Sequence, residues 1–288
     1  MISIITPTYN RAYILGELYK SLKEQTDSDF EWIIVDDGSN DGTEELVNDW
    51  LKEKNSFVVS YYRKSNGGKH RALNYGIPKA KADFVFIVDS DDKLTSDAIE
   101  SANEWIREVK DNRTIAAVSG LRGYPDGKRV GDYPKDKVYL DVKNSYRNRY
   151  HLDGDKAEIY RKELLLQFPF PEFENEKFIG EGAVWNTIAK AGYKVRWYNK
   201  IIYIGNYLPD GLTSHVNELK KNNFNGYTYT TRLNYEVLAF PYNLMAVASY
   251  IGIAKQKGLN YQQITEKIGL KKADLCLSLI IRRLRKMS

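Results

Sequence analysis

Phe84-Val85-Phe86-Ile87-Val88-Asp89-Ser90-Asp91-Asp92 decides how this chain is read. Five consecutive apolar residues, all β-branched or aromatic, predict a short strand buried on both faces. Three carboxylates follow within four positions, where like charges repel unless something offsets them. One reading is an acidic turn that caps the next helix, since Asp97 and Glu100 continue the acidic character. The other is a site for a divalent cation shared between these oxygens and the phosphates of a ligand, the way Mg²⁺ is commonly held. The segment alone leaves both open.

Working outward, strand and helix signals alternate. Ile2 to Thr6 reads as a strand ending at Pro7, and Ala12 to Gln25 as a helix with Ile14, Leu15, Leu18 and Leu22 on one face. Trp32-Ile33-Ile34-Val35 is a second strand, ending in Asp36-Asp37-Gly38-Ser39. A helix over 43–54 is expected to turn Leu46, Val47, Trp50 and Leu51 inward. A strand over 57–62, a helix over 69–80, the strand at 84–88, a helix over 97–109 and a strand over 115–119 follow. Such alternation predicts parallel β-α-β units, in which ligands bind beyond the carboxyl ends of the strands. The polar strand ends Pro7-Thr8-Tyr9-Asn10, Asp36-Asp37-Gly38-Ser39 and Asp89-Ser90-Asp91-Asp92 would therefore gather at one edge. Residues 122–155 break the pattern and read as a long loop or irregular insertion over the site. Regular structure returns over 156–166, with a helix over 182–191, a strand over 195–204 and helices after Thr213.

Bulk composition sets the limits. At 288 residues and 42% hydrophobic content, a large packed core is expected and global disorder is excluded. A net charge of +5 suits anionic ligands but is too weak to indicate nucleic acid. The single cysteine, Cys276, excludes an intramolecular disulfide and fits a reducing compartment. The N-terminus reads as a strand rather than a signal peptide, and no apolar stretch is long enough to span a bilayer. The expected location is cytoplasmic.

The strand ends carry candidate chemistry. Asp37 reads either as a turn residue or as an acceptor for the imide N–H of a uracil-type base, with Tyr9 placed to stack on that base. Asn66-Gly67-Gly68-Lys69 opens a helix, where paired glycines and the helix dipole suit a phosphate and Lys69 adds positive charge. His70 reads as a structural or solvent-facing histidine rather than a ligand.

Pro7-Thr8-Tyr9-Asn10-Arg11, Val35-Asp36-Asp37-Gly38-Ser39, Asn66-Gly67-Gly68, Ala72-Leu73-Asn74-Tyr75-Gly76 and Asp89-Ser90-Asp91-Asp92 occur in that order. Together they resemble the nucleotide-binding half of family-two glycosyltransferases with the GT-A fold, closely over about residues 1–120 and more loosely to about 215. The resemblance implies an α/β chain with a Rossmann-like mixed central sheet flanked by helices. It implies a catalytic domain over 1–215, divided into nucleotide-binding (1–120) and acceptor-binding (121–215) halves, with a C-terminal helical extension over 216–288. The donor would be a nucleotide-sugar, UDP-linked, and the cofactor Mn²⁺ or Mg²⁺. Pro7, Tyr9, Asp37, Lys69 and Asp89 would hold the nucleotide, and Asp91 with Asp89 the metal.

The same resemblance implies a general base at a downstream helix start. The matching stretch, Ile179-Gly180-Glu181-Gly182, keeps Glu181 but has Gly182 where a second carboxylate is expected. Glu181 is the assigned base, with a bare helix-terminal charge as the plain alternative. Trp185, one turn on, is either core or a sugar-stacking face. Leu208 to His215 resembles a closing loop in surface-polysaccharide transferases, with Asp210 as a turn or acceptor residue and His215 as a possible third metal ligand. Lys271 to Ser288 mixes Leu275, Leu277, Leu279, Ile280, Ile281 and Leu284 with Lys271, Lys272, Arg282, Arg283, Arg285 and Lys286. That pattern fits a membrane-surface helix for a glycan or polyprenyl-diphosphate-linked acceptor, or a helix packed on the body. The expected function is inverting sugar transfer. A nucleotidyltransferase and a non-catalytic nucleotide- or glycan-binding protein are the alternatives.

Overall fold

The computed structural model describes residues 1–206 and 216–285. Strands β1 (Ile2–Thr8), β2 (Phe30–Asp36), β3 (Val58–Arg63) and β4 (Phe84–Ile87) run parallel in the order β3-β2-β1-β4. Beyond β4 the sheet is mixed. β8 (Lys156–Arg161) lies antiparallel to both β4 and β6 (Ile115–Gly123), and β6 is parallel to β9 (Lys194–Ile204). The short strands β5 (Lys93–Leu94) and β7 (Tyr139–Val142) pair antiparallel with β9.

Continuous apolar runs made these strands legible because the sheet is buried on both faces. Alternate residues serve opposite cores. Ile2, Ile4, Trp32, Ile34, Phe84 and Phe86 pack beneath α1 (Ala12–Lys23), α2 (Thr43–Lys52) and α4 (Ala98–Val109). Ile5, Ile33, Val35 and Val85 pack on the other side with α3 (Lys69–Gly76), α5 (Lys162–Gln167) and α6 (Gly182–Lys190).

Two expectations are corrected. Leu51 is 42% exposed, not inward. Val47 and Trp50 already occupy the buried stripe, and one further residue turns the side chain about 100° away from it. The 122–155 segment is also more regular than expected. It contains β7 and a 3₁₀ helix over Asn144–Tyr150. Asp141 disguises β7 as a loop, yet its carboxylate forms a bidentate pair with Arg196 on β9 at 2.7 and 2.8 Å. β6 also runs on to Gly123, because Gly120 leaves room for Ile202, whose Cγ1 would lie 2.6 Å from a Cβ at that position.

From Val216 the chain is helical, with α7 (Val216–Asn222), α8 (Phe224–Val237), α9 (Tyr242–Gln256), α10 (Tyr261–Ile268) and α11 (Lys272–Leu284). Val247, Tyr250, Ile251, Ile264 and Ile268 form a core of their own. A reciprocal clasp joins these helices to the sheet and its connections. Glu176 accepts from the Asn225 and Gly226 N–H groups at 2.7 and 2.8 Å, at the start of α8. Asn223 Oδ1 accepts in return from the Lys177 and Phe178 N–H groups at 2.8 and 3.0 Å. Among the described residues, no helix is long and apolar enough to cross a membrane.

Phe86 is fully buried in β4, immediately before the acidic cluster. Phe86→Ala is expected to lower unfolding stability by about 3–5 kcal/mol, measured by urea denaturation.

Candidate active site

Strand order reverses between β1 and β4: β2 and β3 lie on one side of β1, and β4 on the other. A crevice opens at such a switch point, beyond the carboxyl ends of the strands. Here it is a cavity of about 550 Å³ lined by Pro7, Tyr9, Asp37, Lys69, Asp89 and Asp91, among others. The nucleotide-site residues expected from sequence are thus brought together. Lys177 and Asn223 complete the rim from the clasp.

The loops after β1 and β2 are laced together. The Asn10 N–H donates to Ser39 Oγ at 2.8 Å, and Asn10 Oδ1 accepts from the Asn40 N–H at 2.9 Å. Tyr9 is 48% exposed, leaving a ring face open for stacking. Asp37 is buried and heavily engaged. It accepts from Lys64 Nζ (2.8 Å), Asn66 Nδ2 (3.1 Å), the Gly67 N–H (3.0 Å) and the Gly68 N–H (2.6 Å). The N–H groups that sequence reading offered to a phosphate are therefore taken by Asp37. Gly68 has φ +96°, and a Cβ there would lie 1.9 Å from the Lys177 carbonyl oxygen. The glycine pair serves a close backbone crossing between this loop and the clasp.

Asp89, Asp91 and Asp92 each place a carboxylate oxygen within 4.8 Å of the others. Burial, and then the charge of Asp89, push Asp91 above the usual carboxylate range and Asp92 up to about 7. Cations oppose this crowding. Arg122 pairs with Asp92 at 3.0 Å, and Arg11 lies 3.9 Å from Asp91. The Asp89 N–H donates to the Tyr203 hydroxyl at 3.0 Å, fixing the loop to β9. Three carboxylates gathered at one strand end, partly buried, are a donor set that fits a hard divalent cation. Asp92, with its Arg122 partner, is the most committed to internal structure.

Lys69, first residue of α3, joins this cluster to the expected base. Its ammonium lies 2.5 Å from Asp89 and 3.0 Å from Glu181. Burial opposes its charge, but the two carboxylates outweigh burial and hold it above the usual lysine range. Glu181 occupies the N-cap position of α6, yet its side chain makes no capping hydrogen bond and reaches Lys69 instead. Trp185 is buried and stacks on Tyr160 with ring centroids 4.0 Å apart. It also borders a second cavity of about 360 Å³ that shares Asp89 and Arg122 with the first and takes in Glu181 and Glu158. His70 is buried in α3, as expected of a structural residue. Asp210 and His215 lie outside the described residues. Arg122 and Glu158 escaped the sequence reading, because a charge within a strand pattern ordinarily marks the solvent face.

The fold and this arrangement define an α/β chain with an acidic crevice at the switch point of its sheet, and comparison makes the class specific. The family model "Glycosyl transferase family 2" matches residues 3–201, and the chain belongs to that family. A β-1,3-glucosyltransferase of Campylobacter jejuni, named for GalNAc(5)-diNAcBac-PP-undecaprenol, is 30% identical over 194 residues, which is 66% of this chain and 60% of the relative. The poly(ribitol-phosphate) β-N-acetylglucosaminyltransferase TarS of Staphylococcus aureus is 32% identical over 176 residues, covering 59% of this chain but 29% of TarS. The chain thus spans less than two thirds of these relatives. The structure of TarS 1–349 with UDP-GlcNAc superposes with a TM-score of 0.64 at 22% identity, over 88% of this chain and 72% of that one. A mannosyltransferase from Pyrobaculum calidifontis, solved with GDP-Man and Mn²⁺, gives 0.58 at 19% identity, over 99% and 87%. The shared architecture is the GT-A fold.

Gly68→Ala is expected to displace the Lys177 backbone and lower unfolding stability by more than ~1 kcal/mol, since it adds a Cβ at positive φ; urea denaturation measures it.

Proposed function

We propose that this chain transfers a sugar from a UDP-linked donor to a hydroxyl of a glycan or polyprenyl-diphosphate-linked acceptor, with inversion at the anomeric carbon. The observation that carries this reading is the Lys69 bridge. One ammonium spans the aspartate cluster, where a diphosphate and its cation would sit, and the only carboxylate presented by the α6 N-cap, Glu181. The names of the relatives support the substrate class, since one carries a diphospho-undecaprenol glycan and TarS was solved with UDP-GlcNAc.

In this reading Tyr9 stacks on the base, and Pro7 shapes the pocket beside it. Asp37 meets the imide through exchange of one of its internal donors. Asp91 and Asp89 would hold Mn²⁺ or Mg²⁺, and when bound the ion supplies positive charge to the departing diphosphate. Lys69 adds charge on the same side. Glu181 accepts the proton of the acceptor hydroxyl as that oxygen bonds to the anomeric carbon and the bond to the β-phosphate oxygen breaks, releasing UDP. The acceptor approaches through the second cavity, past Trp185 and beneath residues 122–155. Residues 1–215 form the catalytic unit and 216–288 its helical extension; Asp210 and His215 are kept as acceptor and metal candidates.

The extension also carries the proposed contact with a membrane surface on the cytoplasmic side. Leu275 and Leu279 of α11 pack toward the helical core, while Leu277, Ile280 and Leu284 are 45, 56 and 61% exposed. Lys272, Arg283 and Arg285 are exposed on the same helix and its end. An apolar stripe between basic residues suits an anionic bilayer.

UDP release from a panel of UDP-sugars, with Mn²⁺ and then with chelator, tests the activity. Asp91→Asn and Glu181→Gln are each expected to lower turnover by about 10²-fold or more with melting unchanged; full activity in Glu181→Gln removes it as the base. For the membrane contact, Leu277→Glu with Ile280→Glu is expected to abolish co-sedimentation with phosphatidylglycerol vesicles while leaving soluble turnover intact.

A further inference from the structure

We propose that Glu158 and Asn144 form a hydroxyl-reading wall in the second cavity, a subsite that takes a neutral pyranose ring and turns away acidic sugars. This rests on the sugar-transfer reading above and gives it a substrate class.

The wall combines a buried carboxylate whose ion pair is long with an amide oxygen that lacks a donor among the described residues. Side chains alternate along β8, so Lys156, Glu158 and Tyr160 share a face. The Glu158 side chain is 10% exposed, and its ion-pair partner, Arg147 Nη1, stands 3.6 Å away, beyond hydrogen-bonding distance. Burial first of all, with Glu181 adding to it, pushes the Glu158 carboxyl up to about 7 against the pull of Arg147. Asn144, in the 3₁₀ helix, is 7% exposed. Its Nδ2 donates to Asn186 Oδ1 at 2.7 Å, which fixes the amide orientation and leaves Oδ1 buried without a partner among the described residues. Both residues line the cavity that also holds Asp89 and Glu181.

The cations that line the cavity with Glu158, namely Arg147, Lys156 and Arg122, are each engaged by further partners. Arg147 donates to the carbonyls of Leu152 and Gly154 and lies over the Trp197 ring. Lys156 points its ammonium at the carbonyls of Asp153, Val130 and Gly154, and Arg122 pairs with Asp92. The ligand that satisfies such a wall must bring O–H or N–H donors. A hydroxylated or acetamido-bearing ring does so. The carboxylate of a uronate, like a phosphate, adds a negative group that only accepts, and it would meet Asp89, Glu158 and Glu181 together. The ring belongs either to the donor or to the acceptor; the chemistry is the same.

Saturation-transfer NMR with methyl β-glucopyranoside and methyl β-glucuronide reads the subsite without turnover. The wild-type chain is expected to bind the neutral glycoside and not the uronide. Glu158→Leu should lose the neutral glycoside, and Glu158→Gln, which keeps an acceptor oxygen without the charge, should retain it and admit the uronide. Thermal melting at pH 8 should be equal or higher in both variants, since each removes a buried, underpaired carboxylate. Acceptor-free hydrolysis of UDP-glucose then separates the sources. A fall of about tenfold or more in kcat/KM for Glu158→Leu, at unchanged UDP affinity, assigns the ring to the donor. Unchanged hydrolysis with lost glycoside-stimulated release assigns it to the acceptor. Equal binding of both glycosides by the wild type, unchanged binding in Glu158→Leu, or melting several degrees lower in both variants overturns the subsite. Absence of UDP release in the wild type overturns the donor reading alone and leaves the NMR result standing.

Discussion

Repulsion among carboxylates governs this site. Asp89, Asp91 and Asp92 crowd the end of β4, and Glu181 approaches from α6. Removing such groups from water is costly unless cations answer them in good geometry. The cations come from far apart in the chain: Arg11 from the loop after β1, Lys69 from the start of α3 and Arg122 from β6. Meeting one electrostatic demand thus draws several connections toward one point. Even Gly205 is drawn in, because a Cβ there would lie 1.6 Å from Asp92 Oδ1. Burial first, and the charge of Asp89 second, hold Asp91 and Asp92 above the usual carboxylate range despite these cations. That residue of unfavourable charge is what makes the cluster receptive to a divalent ion.

Legibility in the sequence follows from burial. Strands β1, β2 and β4 are sealed on both faces, so each prints an unbroken apolar run and each polar strand end stands out beside it. The first half of the fold, and the edge where a ligand would bind, are readable for that reason. The second half is not, because its strands are compensated rather than apolar. Asp141 in β7 is neutralised by Arg196, and Glu158 in β8 faces a cavity rather than solvent. Sequence pattern treats both as surface charge. Asp37 shows the limit in another form: its position at a strand end was legible, but the four donors around it come from residues 64 to 68, almost thirty positions away.

The two cavities divide the chemistry. The larger is lined by Tyr9, Asp37 and Lys69 from the parallel half; the smaller is walled by the mixed half of the sheet. Asp89 and Arg122 border both. Lys69 touches a carboxylate of each, Asp89 and Glu181, so its ammonium is placed to feel events in either. A bridge of this kind ties the geometry of Glu181 to that of the aspartate cluster, within one side chain's reach.

The clasp between Glu176 and Asn223 bears on how such a chain can be divided. Each residue caps backbone that belongs to the other's segment. A cut between the sheet and the helices would strand two N–H groups beside Lys177, four residues before Glu181, and two more at the head of α8. The helices are therefore stitched to the sheet, and α9 is bound into the same unit, since Tyr250 stacks on Phe224 and meets Thr228 of α8. Shuffling, truncation or fusion is tolerated only where this stitch stays closed.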